Sequence, residues 1–225
     1  MFDGNFGTNP FATRWTRPGA IPYQFADTMT IDDAVRRLNE GEWRGAVVGP
    51  HGSGKSSLLV MLMPAIEAVG KHVVVVRLHD GQRRLPLSRQ EFKQLGTADV
   101  LMIDGYEQLG RYERWRLSRQ CRRRGCGLLV TSHTPYGLPI LFRTEPSLGL
   151  VERLIERCLP PHDGRISRQD IEQAWHRHAG NVREVFFELY DRFEARRPIV
   201  RITTELPAIV TSAVARPLGW IASAT

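Results

Sequence analysis

The sequence predicts an α/β fold, a parallel sheet of five strands flanked by helices and followed by a small helical region. Three observations carry that expectation. Apolar, β-branched runs alternate with helical patterns between residues 30 and 145. A glycine-rich run, GPHGSGKSS from Gly49 to Ser57, joins the first strand pattern to a helical one. Beyond residue 145 the strand patterns stop while helical periodicity continues to about residue 197. The expected organisation is an extended arm at 1–29, an α/β core at 30–145, a helical lid at 146–197 and an unassigned tail at 198–225.

Each element has a local reason. Residues 1–28 hold Gly, Pro and aromatics without a period, as in an arm lying on a domain surface. Thr30, followed by Asp32 and Asp33, marks a helix start, and that helix reaches Glu40. A strand at Arg44–Val48 feeds the glycine run, and a helix leaves it and ends at Gly70, with Pro64 expected to kink it. HVVVVRL at 72–78 is continuous enough for a strand covered on both faces, whereas 79–97 carries no pattern. DVLMID ends a third strand at Asp104, and GLLVTS ends a fourth at Ser132, with a helix at 111–124 between them. A weaker strand fits 139–143. Helices follow at 146–158, 167–178 and 181–195; the last buries Val182, Val185, Phe186, Leu189 and Phe193 behind an Asn181/Glu184 capping-box pattern.

The run from Gly49 satisfies G-x-x-x-x-G-K-[ST] through Gly49, Gly54, Lys55 and Ser56. The chain's own composition gives that match a random probability of roughly 0.002, so a phosphate-holding loop is a better account than a chance turn. Strand, loop and helix are the context such a loop needs. Gly49, Gly52 and Gly54 keep Cβ atoms away while the backbone of Pro50, His51, Ser53 and the helix start at Ser57 close around anionic oxygens. Lys55 is then expected to reach the outer phosphates and the Ser56 hydroxyl to ligate Mg²⁺. Asp104 closes an apolar strand roughly fifty residues on, where a second Mg²⁺ ligand belongs. Thr131, Ser132 and His133 stand at the carboxyl edge of the expected sheet, where open α/β folds bind ligands. There they either sense a terminal phosphate or simply cap a strand end.

Composition bounds the rest. With 42% hydrophobic and 24% charged residues and no long apolar run, the chain reads as a soluble protein without a membrane span, expected in the cytoplasm. Its start has neither a basic cluster nor an apolar stretch of a secretory signal. Three cysteines, Cys121, Cys126 and Cys158, lack zinc spacing and read as reduced thiols. A net charge of +7 suits a partner carrying phosphates, and the arginine-dense segment 111–124 is the candidate contact for nucleic acid. A solvated basic surface explains the same charge.

GPHGSGKS, VLMID, LLVTS and the later GNVR at Gly180–Arg183 together resemble the P-loop NTPases with an added strand between the two Walker strands, most of all the AAA+ and related signal-transducing ATPases. The resemblance spans about residues 30–196. It implies ATP with Mg²⁺, a strand order of 5-1-4-3-2, and contact of Arg183 with the terminal phosphate. It also implies that Pro18, Ile21, Tyr23 and Phe25 line the adenine site. Members of that family often place a glutamate directly after the strand-ending Asp, but here the segment is Asp104-Gly105-Tyr106-Glu107. Glu107 is therefore either the residue that activates water or a surface acid, and no arginine stands out as a finger for a neighbouring subunit. The function implied is a slow ATPase acting as a switch or motor upon a partner, through a protein client or a homo-oligomer. A nucleotide-binding adaptor without useful hydrolysis is the alternative, ahead of a small-molecule kinase, for which the sequence offers no acceptor segment.

Overall fold

A computed structural model describes residues 9–12, 19–25, 29–161 and 163–197. Its five strands, β1 (Arg44–Val48), β2 (His72–Arg77), β3 (Asp99–Asp104), β4 (Gly127–Ser132) and β5 (Ile140–Arg143), form one sheet ordered β2-β3-β4-β1-β5. Every pairing is parallel. Read from the other edge, the order is 5-1-4-3-2. Because strand side chains alternate between faces, the sheet fills two apolar layers. Leu101, Ile103, Leu128 and Val130 face α3 (Arg89–Gln94) and α4 (Arg111–Arg124), meeting Phe92, Leu117 and Cys121. Val100, Met102, Leu129 and Val47 face α1 (Ile31–Glu40) and α2 (Lys55–Ala68), meeting Leu38, Leu58, Leu62 and Ile66. Each such side chain contributes about 1.5–3 kcal/mol by leaving water.

Three further helices, α5 (Leu148–Cys158), α6 (Arg168–Arg177) and α7 (Val182–Ala195), build a separate apolar cluster around Val151, Ile155, Ala174, Val185 and Leu189. Phe11 belongs to it. Its ring sits edge-on to Phe186 at 5.8 Å and to Phe193 at 5.9 Å, and Asn9 donates to the Tyr190 carbonyl at 3.0 Å and to Glu194 at 2.8 Å. The described part of the N-terminal segment is thus packed into the helices at this point, not laid over a surface. The aromatic ring supplies apolar area that three short helices lack.

Other expectations are refined. β2 is a sheet edge: Val74 and Val76 pack in one apolar layer and Val73 in the other, but Val75 is exposed, so both faces are covered only in part. The segment read as patternless contains α3, capped by Ser88, whose hydroxyl accepts from Glu91 N–H while Glu91 answers to the Ser88 N–H. α2 continues through Pro64, an exposed position, and its cap residue is Val69, with Gly70 following at φ +82°. Asn181 caps α7 by accepting from Glu184 N–H at 3.4 Å, one half of the capping box. Among the described residues no helix is long and apolar enough to cross a membrane. Pro18 and the tail at 198–225 lie outside the described residues.

Candidate functional site

The glycine run lies between β1 and α2 at the carboxyl edge of the sheet, beside the ends of β3 and β4. Gly52 (φ +68°) and Gly54 (φ +88°) adopt left-handed backbone, which favours glycine. A side chain at Gly52 would collide with Asn181, and one at Gly54 would press on the Tyr23 ring at 3.1 Å. This geometry leaves the N–H groups of His51, Gly52 and Gly54 donating to no described group, while that of Ser53 closes a turn toward Pro50. Gly49 instead donates to the Ser132 carbonyl at 3.2 Å, anchoring the loop to β4. Ser53 bonds the Pro50 carbonyl at 2.8 Å and the buried Thr144 hydroxyl at 2.5 Å, which fixes the loop to the end of β5.

Lys55 opens α2 with its ammonium folded onto the loop, donating to the carbonyls of Gly49 at 2.9 Å and Pro50 at 2.5 Å. Burial pushes its pKa down against the pull of Glu107 and Asp104, and the charge of Arg183 adds to the depression. Asp104 is the hub of the polar cluster. Its Oδ1 accepts from Ser56 at 3.0 Å and from Thr131 at 2.6 Å, while the Thr131 oxygen accepts from Gly105 N–H at 2.9 Å. Ser57 follows, partly exposed, in the first turn of α2.

Sequence-distant residues thus converge, but not all of them. Ser132 is fully buried and its hydroxyl turns to the Thr134 carbonyl at 2.5 Å, away from Asp104. Glu107 lies on a short 3₁₀ turn, Tyr106–Gln108, with Oε1 3.4 Å from His133 Nε2. His133 Nδ1 is 3.1 Å from the Gly49 carbonyl, which only accepts, so that nitrogen carries a proton. Glu107 Oε2 and His133 Nε2 are both buried without a hydrogen-bond partner. The His51 ring centroid lies 4.0 Å from that of His133 with the planes tilted by 60°, and burial, then the charges of His133 and Lys55, pushes its pKa down. Arg183 is exposed in the first turn of α7, and its backbone N lies 3.2 Å from the point where a Cβ on Gly52 would stand.

Of the expected adenine-site residues, Tyr23 and Phe25 form an edge-to-face trio with Phe142, at 5.4 to 5.8 Å for the Tyr23 contacts, whereas Ile21 packs on the helical cluster. Burial raises the Tyr23 pKa to about 12. Sequence reasoning missed Thr144, the contact of Asn181 with Gly52 and the pairing of His51 with His133. None has a local signal, because each depends on where a distant segment lands. No protein-family model and no curated protein matches this chain.

Proposed function

We propose that this protein binds ATP with Mg²⁺ at the glycine loop and hydrolyses it slowly, as a P-loop switch whose nucleotide state is felt by the C-terminal helices. The observation that carries this reading is that the N–H groups of His51, Gly52 and Gly54 donate to no described group and lie beside a buried ammonium. Converging backbone donors and the start of α2 form an anion site, and Lys55 need only exchange two carbonyls for phosphate oxygens. Ser56 and Asp104 would hold the metal. Among the described residues no group of three His, Cys, Asp or Glu side chains could hold an ion alone, which suits Mg²⁺, an ion that takes most of its shell from water and phosphate. Bound there, Mg²⁺ would offset the charge of the phosphates.

Thr131 keeps Asp104 oriented, and Glu107, with one buried oxygen unpaired, would take a proton from water. His133 Nε2 lies 3.4 Å from the other oxygen of Glu107 without a hydrogen bond, a neighbour that would compete with water for that carboxylate and fits slow turnover. The C-terminal helices touch the loop through Asn181 and Arg183, so lid movement and phosphate occupancy would be linked. The same His133 contact favours a second reading, a nucleotide-binding adaptor. Measuring phosphate release from Mg·ATP decides between them: the switch reading expects slow turnover that Glu107→Gln lowers at least tenfold while ATP still binds. Binding without turnover in the parent would leave the adaptor.

A further inference from the structure

Helix α4 carries two kinds of arginine. Three are used inside the fold: Arg116 bonds Glu113 at 2.5 Å, Arg124 donates to the Lys93 carbonyl at 2.7 Å, and Arg114 donates to the carbonyls of Glu107 and Leu109 while lying 4.1 Å over the Tyr136 ring. The other four, Arg111, Arg119, Arg122 and Arg123, are exposed and have no carboxylate partner among the described residues. At about 100° per residue, those four fall in one arc of roughly 120°; Arg114 and Arg124 point away from it, and Arg116 borders its edge with its guanidinium turned to Glu113. Tyr112 and Trp115 lie in the same arc, 71% and 59% exposed, with ring centroids 5.9 Å apart. Large aromatics at such exposure are left open to a partner.

We infer that this face of α4 binds single-stranded nucleic acid. The row from Arg111 to Arg123 is about 18 Å long at about 1.5 Å per residue, enough to follow several phosphates. It borders an open groove of about 670 Å³ whose far wall is Tyr136. Guanidinium groups without a carboxylate partner take the phosphates, Arg119 among them although it lies 5.8 Å over the Trp115 ring, and the exposed rings take unstacked bases, whose faces a duplex keeps hidden. An acidic peptide would use the arginines but leave Trp115 and Tyr112 without planar partners. The groove also adjoins the candidate nucleotide site, since Arg114 holds the Glu107 carbonyl and Tyr136 follows His133 in the same loop. The surface itself stands independently of whether the glycine loop binds ATP.

Fluorescence anisotropy without nucleotide tests it, using labelled thymidine and uridine oligonucleotides, a duplex of the same length and a polyglutamate peptide over a salt series. The expected result is tightest binding to a single strand, with the two oligonucleotides showing whether DNA or RNA is preferred. Arg122→Ala/Arg123→Ala should lower the salt slope by about 0.7 per lost contact. Trp115→Ala should weaken binding at least fivefold, as the loss of about 1–3 kcal/mol of stacking per base requires. Arg124→Ala, on the far side of the helix, should bind as the parent does. No salt-dependent binding by the parent at low ionic strength would overturn the inference, as would equal affinity for duplex or peptide. So would a parent dimer that Trp115→Ala dissociates in light scattering.

Discussion

The glycine loop and the C-terminal helices treat charge in opposite ways. In the helices, charges are spent on one another: Asp170, nearly buried, accepts from Arg192 at 2.6 Å, from Arg196 at 2.6 and 2.8 Å and from its own cap residue Ser167, and Glu188 accepts from Arg192, Arg177 and His178. Around the loop, backbone donors stay unpaired, a lysine rests on neutral carbonyls, and two buried atoms of Glu107 and His133 have no partner. Leaving a buried polar group unpaired costs about 1–3 kcal/mol. A fold that closes its polar contacts in one region and leaves them open in another is stabilised by the first, and the second is where the proposed ligand would complete them.

That contrast can be broken at its strong end first. Asp170→Asn removes the charge that holds two guanidinium groups and should cost about 2–3 kcal/mol of stability, the lower range because Arg196 is partly solvated. Urea unfolding measures it, and ATP affinity should not move. The carboxyl of Asp170 is held well below its usual range, first by the hydrogen bond from Arg196. A depressed pKa contributes stability above the unfolded value of about 3.9 and loses it as pH falls below that value. The parent should therefore lose stability more steeply than Asp170→Asn in that acid window. An equal slope for both would place the acid sensitivity elsewhere.

Smaller effects sharpen the other end. Thr131→Val removes the donor to Asp104 and the acceptor of Gly105 N–H, and should weaken Mg²⁺-dependent nucleotide binding by about 1–2 kcal/mol with less effect on binding measured without Mg²⁺. Calorimetric titration in the two conditions separates them. Ser167→Ala should cost about 1 kcal/mol, the worth of one helix cap. Arg183→Ala, at an exposed position, should change stability by less than about 0.5 kcal/mol while lowering turnover or the preference for ATP over ADP. A large loss of stability with normal turnover would make Arg183 structural.

How much of this was legible depended on the reach of each interaction. β1 and α4 were read to the residue because period, glycine and cap signals all lie within the segment. The parallel five-stranded sheet followed from alternating patterns. Helix α3 escaped because six residues with one buried side chain, Phe92, carry no period, although Ser88 and Glu91 spelled its capping box. That the cover of β2 is only partial was not legible, because four valines look alike whether a strand is central or at an edge, and strand order decides which. At the site, the order of Gly49, Lys55 and Ser56 was local, and Asp104 followed from the end of an apolar strand. The bonds that join them to Thr131 and Thr144, and the burial of Phe11 among helices late in the chain, arise only when the sheet and helices assemble.

The account turns on whether the open donors of the loop are kept for phosphate. Titrating a fluorescent ATP analogue with Mg²⁺ into the parent and into Lys55→Ala tests this most directly. One lost charge-assisted contact, worth about 1.5–3 kcal/mol, should weaken the variant at least tenfold while its circular dichroism and melting stay those of the parent. Equal affinity in a folded Lys55→Ala protein, or no binding by the parent, would contradict it.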